Sequence, residues 1–244
     1  MSGRVVLSDV RGLLVRVGID QTYGGWNAPV DPDTLDFAYV PIPDGPQHRE
    51  LATPYARVVD AVARFRGVTL PAELHARMMH LDPDFERLTY GDDGARRGRG
   101  LAALGPGDFV AFYAALRPTK PVDHTLLYAL IGFYRVREVV RARSVPTTRW
   151  AENAHTRRLE HSATDVIVRA EASTSGRLRR CIPIGERRDG CYRVCTELLD
   201  AWGHLSCRDG YIQRSAVPPA FLDPRRFLSW FEEQSPELVA ANNP

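Results

Sequence analysis

Two apolar, strand-forming runs dominate the middle of the chain: Phe109 to Leu116, and Leu126 to Phe133. The second continues into Tyr134 to Val140, where Val136 and Val139 interrupt charged positions. Aromatic and β-branched residues at this density favour extended chain. The only connection between the runs is the polar link Arg117 to His124, so the pair predicts a long β-hairpin. The tight turn Leu104-Gly105-Pro106-Gly107-Asp108 leads into it.

Other elements are shorter. Leu13 to Ile19 reads as a strand running into the polar loop Asp20 to Asn27, and Phe37 to Ile42 as a strand stopped by Pro41, Pro43 and the turn Asp44-Gly45. Between Pro54 and Gly67, Val58, Val59, Val62 and Phe65 recur at helical spacing. Asp92 to Gly100, with three glycines and three arginines, reads as a flexible loop. Trp150 to Leu159 fits a short helix, Val166 to Val168 and Leu178 to Ile184 fit strands, and Arg225 to Glu233 fits an amphipathic helix before a frayed tail, 235–244. Without an internal repeat or a linker, one domain over 1–244 is the simplest reading. Its class is α+β, with a mixed, mostly antiparallel sheet or partly open barrel and peripheral helices.

Composition narrows the functional classes. A hydrophobic fraction of 44% and a charged fraction of 25% describe an ordinary globular chain. No stretch approaches the roughly 18 apolar residues of a membrane helix, and Met1 to Val10 has no secretory pattern, so a cytoplasmic location is expected. A net charge of +2 is too small to predict polyanion binding. Lys120 is the sole lysine, and the arginines are spread along the chain as a GC-rich genome would produce. Cys181, Cys191, Cys195 and Cys207, spaced Cys-x9-Cys-x3-Cys with His204-x2-Cys207, fit zinc spacing only in part and read better as free thiols.

Three polar segments can carry chemistry. In Gly18 to Asn27, Gly24-Gly25 lets backbone N–H groups approach an anion, with Asp20, Tyr23 and Asn27 crowding the same turn; an ordinary turn also accounts for the glycines. In His80-Leu81-Asp82-Pro83-Asp84, extended chain turns residues two apart to the same side, so His80, Asp82 and Asp84 can converge. They would then form a metal site, or a base with its orienting partner, although Asp-Pro is also a plain turn and helix-start signal. In Asn153-Ala154-His155, the histidine has Arg149, Arg157 and Arg158 nearby for phosphate; a solvated helix face is the ordinary alternative.

The order of these segments resembles the nucleotide modification associated domain 3 family. Arg16 to Asp20 with Tyr23-Gly24-Gly25, and Pro41-Ile42-Pro43-Asp44, resemble its start. His80 to Asp84, Gly107 to Tyr113 and Ile131 to Val136 resemble its middle, and the similarity weakens after about Leu159. The family is known mainly from its association with systems that make or handle hypermodified bases. The resemblance therefore implies a nucleic-acid or nucleotide context without fixing a reaction. Carried over by it are Asp20, Tyr23, Gly24, Gly25, His80, Asp82 and Asp84, with Asp108 and His155. The Gly-Pro-Gly-Asp turn and its following strands also resemble the hairpin of PUA-like domains, where Phe112 and Tyr113 would line a pocket for a flipped base.

The expectation is thus an enzyme that modifies a base or nucleotide, DNA being favoured, without a membrane partner. Asp20, His80, Asp82, Asp84 and His155 are its expected catalytic residues. Tyr23, Gly24, Gly25, Asn27, Asp108, Tyr113 and Arg149 are its expected nucleotide contacts. No residue is assigned to a metal, and no cofactor or oligomeric state is specified. The alternative is a non-catalytic reader of modified bases.

Overall fold

The computed structural model describes residues 10–22, 25–45, 47–95, 98–122, 125–214 and 217–244. Seven strands position the site: β1 (Gly12–Arg16), β2 (Met78–His80), β3 (Thr89–Asp93), β4 (Phe109–Pro118), β5 (Leu127–Arg141), β6 (Asp165–Ala170) and β7 (Gly176–Pro183). The predicted hairpin is β4–β5, antiparallel from Phe109 opposite Arg135 to Leu116 opposite Leu127, with a register shift between Phe112 and Tyr113. Strand β1 lies parallel to β4 on its outer edge. The 15-residue β5 is long enough to serve two partners on its other edge, β7 along its first half and β6 along its second. Strand β6 then carries β3. The sheet is mixed, mostly antiparallel and not closed into a barrel, and its helices are few and short.

Strand alternation splits the core into two layers. Val110, Phe112, Ala114 and Leu116 pack with Val62, Leu74, Met79 and Phe85 on one face of β4. Phe109, Ala111, Tyr113 and Ala115 pack on the other with Trp202, Phe227 and Phe231. These last three come from the helices Thr196–Trp202 and Pro224–Glu233. Because both faces are covered, β4 reads as a continuous apolar run rather than an alternating one.

Several sequence expectations need correction. Residues 37–42 are not a strand over their length: Phe37 makes an isolated bridge to Val30 and Ile42–Pro43 pairs with β2, while Ala38 and Tyr39 donate their N–H groups to the Pro29 carbonyl and the Asn243 side chain. The helix within 54–67 is a 3-10 turn, Tyr55–Val58, followed by Val59–Ala63. The region 150–159 likewise divides, into Thr147–Glu152 and Ala154–Arg157. Asp92 and Asp93 belong to β3 rather than to a loop.

The tail is docked instead of frayed. Leu238–Val239 pairs with β7, Phe85 N–H donates to Asn242 Oδ1 at 2.9 Å, and Asn243 Nδ2 donates to the Tyr39 carbonyl at 2.8 Å. Among the described residues no helix is long and apolar enough to cross a membrane.

Candidate functional site

Pairing of Ile42 with His80 and of Pro43 with Met79 brings the next residue, Asp44, alongside β2, where its N–H donates to the Met78 carbonyl at 2.8 Å. Alternation sends Met79 into the core and His80 to the other side. There His80 Nδ1 lies 3.2 Å from Asp44 Oδ1. Two residues on, the Asp82 carboxylate is clamped by β3: Gly91 N–H approaches its oxygens at 2.9 and 3.0 Å. Asn153 Nδ2 adds a bond to Asp82 Oδ1 at 3.0 Å.

Asn153 also caps the turn Ala154–Arg157, accepting the His155 N–H at 2.9 Å, and so sets where His155 points. The imidazole is bonded through Nδ1 to Asp165 Oδ2 at 2.7 Å. Asp165 opens β6 opposite Asp93, and Arg158 Nη1 reaches the same oxygen at 3.1 Å. Gly91 makes room for this packing, since a Cβ there would lie 2.6 Å from His155 Cδ2.

The result is a symmetric motif. Each imidazole has Nδ1 on an outer carboxylate and Nε2 towards Asp82 Oδ2, at 3.8 Å for His80 and 3.5 Å for His155. The rings stand edge to face with centroids 5.1 Å apart. Burial disfavours the charged form of His155, but the Asp165 bond and the Asp82 charge outweigh it and raise the imidazole to about 9. For Asp44 and Asp165, burial acts upward, while the bonds to His80 and His155 prevail and hold both below the usual carboxylate range. Access is from the rim, where the His80 side chain is 11% exposed and that of Arg158 35%.

Chemically, this arrangement offers an oriented imidazole at a solvent edge backed by a buried one, suited to proton transfer. It also offers ion ligands: one atom each from His80, Asp82 and His155 lie within 4.8 Å of one another. The cysteines form no comparable group among the described residues; Cys181 is buried, its thiol pushed up to about 12, and His204 faces Asp200.

The remaining nominated residues do not join this centre. Asp84 accepts from Arg157 at 2.8 Å and from Asn242 at 3.2 Å, holding the fold locally. Asp20 pairs with Arg16 at 2.9 Å and caps Thr22, on the sheet face that carries Tyr128. Asn27 and Tyr113 donate to the carbonyls of Ala115 and Ile212, both at 2.8 Å, from buried positions. Asp108 is taken up by Arg11 and the Gly105 N–H. Arg149 pairs with Glu152 at 2.7 Å.

Gly25 takes a positive φ beside open space, and Tyr23 and Gly24 lie outside the described residues. Phe112 is fully enclosed by Phe85, Tyr90 and Tyr134, so with Tyr113 also buried neither ring lines an open base pocket.

A separate cavity of about 670 Å³ gathers Arg64, Arg66, Lys120, Arg177, Arg179 and Arg180 against Asp31 and Asp36. Arg177 is 2% exposed, lies 3.7 Å from the Phe37 ring centroid and donates to the Phe37 and Leu178 carbonyls. Its Nε has no partner among the described residues. Burial, with Arg64 nearby, pushes this guanidinium down to about 9.

Comparison with known proteins adds one decisive match: residues 11–199 match the family described as nucleotide modification associated domain 3. The chain belongs to that family. No curated protein and no solved structure matches it. The nucleotide modification associated domain 3 match contains Asp44, His80, Asp82, Gly91, Asn153, His155 and Asp165, and it ends within the helix Thr196–Trp202. The docked tail lies beyond it.

Sequence reading missed Asp44, Gly91 and Asp165, and it used Asn153 only as a neighbour of His155. Asp44-Gly45 looks like a turn, and nothing local marks Asp165 at the start of its strand. A third nominee, Asp84, shares the local signal of His80 and Asp82 yet serves Arg157.

Proposed function

We propose that this protein is an enzyme that modifies a base or nucleotide, with His80, Asp82 and His155 as its reaction centre and DNA as its substrate. One observation carries the reading: two imidazoles, each fixed through Nδ1 by its own carboxylate, turn Nε2 onto one oxygen of Asp82. A fold needs no such arrangement for stability, because it gathers three carboxylates and two histidines where apolar packing would serve. Orientation by an outer carboxylate fixes the tautomer and makes the facing nitrogen a better base.

His80, at the rim, is placed to exchange a proton with a base or ribose group, while His155 and Asp82 set the charge behind it. The nucleotide-modification context of the family supplies the substrate class. The arginine-lined cavity supplies a place for phosphate, and the segment holding Phe37 also sends Tyr39 Oη to the Pro83 carbonyl beside the centre.

The experiment is mass spectrometry of nucleosides, from both DNA and RNA, in host cells carrying the wild-type gene, no gene, or His80→Gln. A modified nucleoside should appear with the wild type and vanish in the other two. A modified nucleoside that persists with His80→Gln refutes the assignment.

A further inference from the structure

We infer that His80, Asp82 and His155 are the protein ligands of a divalent first-row transition-metal ion, an inference that deepens the reaction centre proposed above and rests on it for its functional meaning. The contacts of Nδ1 with Asp44 at 3.2 Å and Asp165 at 2.7 Å keep the proton on that nitrogen. In the neutral, metal-binding form of each ring the Nε2 lone pair points inward, as in metal-bound histidines whose other nitrogen is held by a carboxylate. At 3.8 Å His80 Nε2 stands beyond hydrogen-bond range of Asp82 Oδ2, and at 3.5 Å His155 Nε2 stands at its outer limit. With both rings neutral, three acceptor atoms would face one another and repel, so the site calls for a positive charge between them, either a proton on an imidazole or a metal ion that displaces it.

The spacing suits such a cation. Ligand atoms about 2.1 Å from a transition ion stand roughly 3.0 to 3.4 Å apart in octahedral or tetrahedral geometry. Closing the site takes a few tenths of an ångström at the two Asp82–imidazole pairs and up to roughly 1.5 Å between the imidazoles, a movement of side-chain torsions. Asp82 is already fixed as a ligand, because Gly91 N–H and Asn153 Nδ2 hold the carboxylate and leave the Oδ2 edge towards the imidazoles. Two imidazoles with one carboxylate favour iron, manganese, cobalt or zinc over magnesium and calcium, which prefer oxygen ligands. Three protein ligands leave room for water or a substrate atom, which the ion would acidify or polarise. Asp44 and Asp165 are positioning residues in this arrangement.

The test uses the full chain stripped with a chelator, then titrated with Co(II) and Zn(II) by calorimetry, with the visible spectrum of the Co(II) form reporting its coordination. Wild type should bind one equivalent. His80→Gln should abolish the Co(II) spectrum, and Asp44→Asn should weaken affinity by about 10- to 100-fold. Circular dichroism of both metal-free variants should match wild type. Absence of binding by wild type, or equal affinity in His80→Gln, overturns the metal site. The nucleoside measurement separates the two claims. If His80→Gln loses modification and wild type binds no ion, the metal inference falls and proton transfer stands. If wild type binds the ion through His80 while modification persists in His80→Gln, the metal site stands and the reaction centre falls.

Discussion

At the scale of single residues, the centre depends on a side chain that is missing. Gly91 gives its N–H to Asp82 while its bare Cα lets His155 and Asn153 close over it. In Gly91→Ala the new Cβ would sit 2.6 Å from His155 Cδ2 and 2.8 Å from Asn153 Oδ1, and both atoms belong to side chains already held by hydrogen bonds. Overpacking of this kind costs about 1–3 kcal/mol. The expected outcome is a lower urea midpoint together with weaker Co(II) binding; a variant indistinguishable from wild type in both would show that the packing around Gly91 is not critical. His80 and Asp82 were legible in the sequence because alternation within one strand is a local rule. Asp44, Asp165 and Asn153 were not, since each owes its place to a pairing with a distant segment.

At the scale of elements, the hairpin was the easiest feature to read, and the ends of the chain the hardest. Strands β4 and β5 carry their own signal in residue type and in the polar link between them. The tail carries none: its Ser, Pro, Asn and Glu residues look like fraying chain, yet they complete bonds that the core leaves open. Asn242 satisfies the buried Phe85 N–H through Oδ1 and donates to Asp84 through Nδ2. Asn242→Ala leaves these groups without partners in a buried setting, which costs about 1–3 kcal/mol. Urea denaturation should show that loss, whereas a frayed tail would make the substitution neutral. Residues 37–42 mislead in the opposite direction: they are apolar enough for a strand, but Tyr39 finds its backbone partners in the side chain of Asn243.

At the scale of the whole molecule, a net charge of +2 conceals an uneven distribution. Arg66 and Arg180 reach the large cavity next to Arg177, whose buried guanidinium has carbonyl partners and no described carboxylate within ion-pair distance. If this cavity seats substrate phosphate, Arg66→Ala and Arg180→Ala should each weaken binding of a single-stranded oligonucleotide. Each should also lower the slope of log affinity against log salt by about 1, measured by fluorescence anisotropy between roughly 50 and 200 mM salt. Unchanged slopes in both would place phosphate elsewhere. The sequence by itself determined the α+β class, the central hairpin, the family and the residue types of the centre, because these follow from local patterning and motif order. Only the tertiary structure decided which carboxylates face which imidazoles, that Asp20 and Asp84 serve other partners, and that the tail is part of the fold. The physical reason is that those contacts join segments up to 204 positions apart, as between Tyr39 and Asn243, and no local periodicity encodes them.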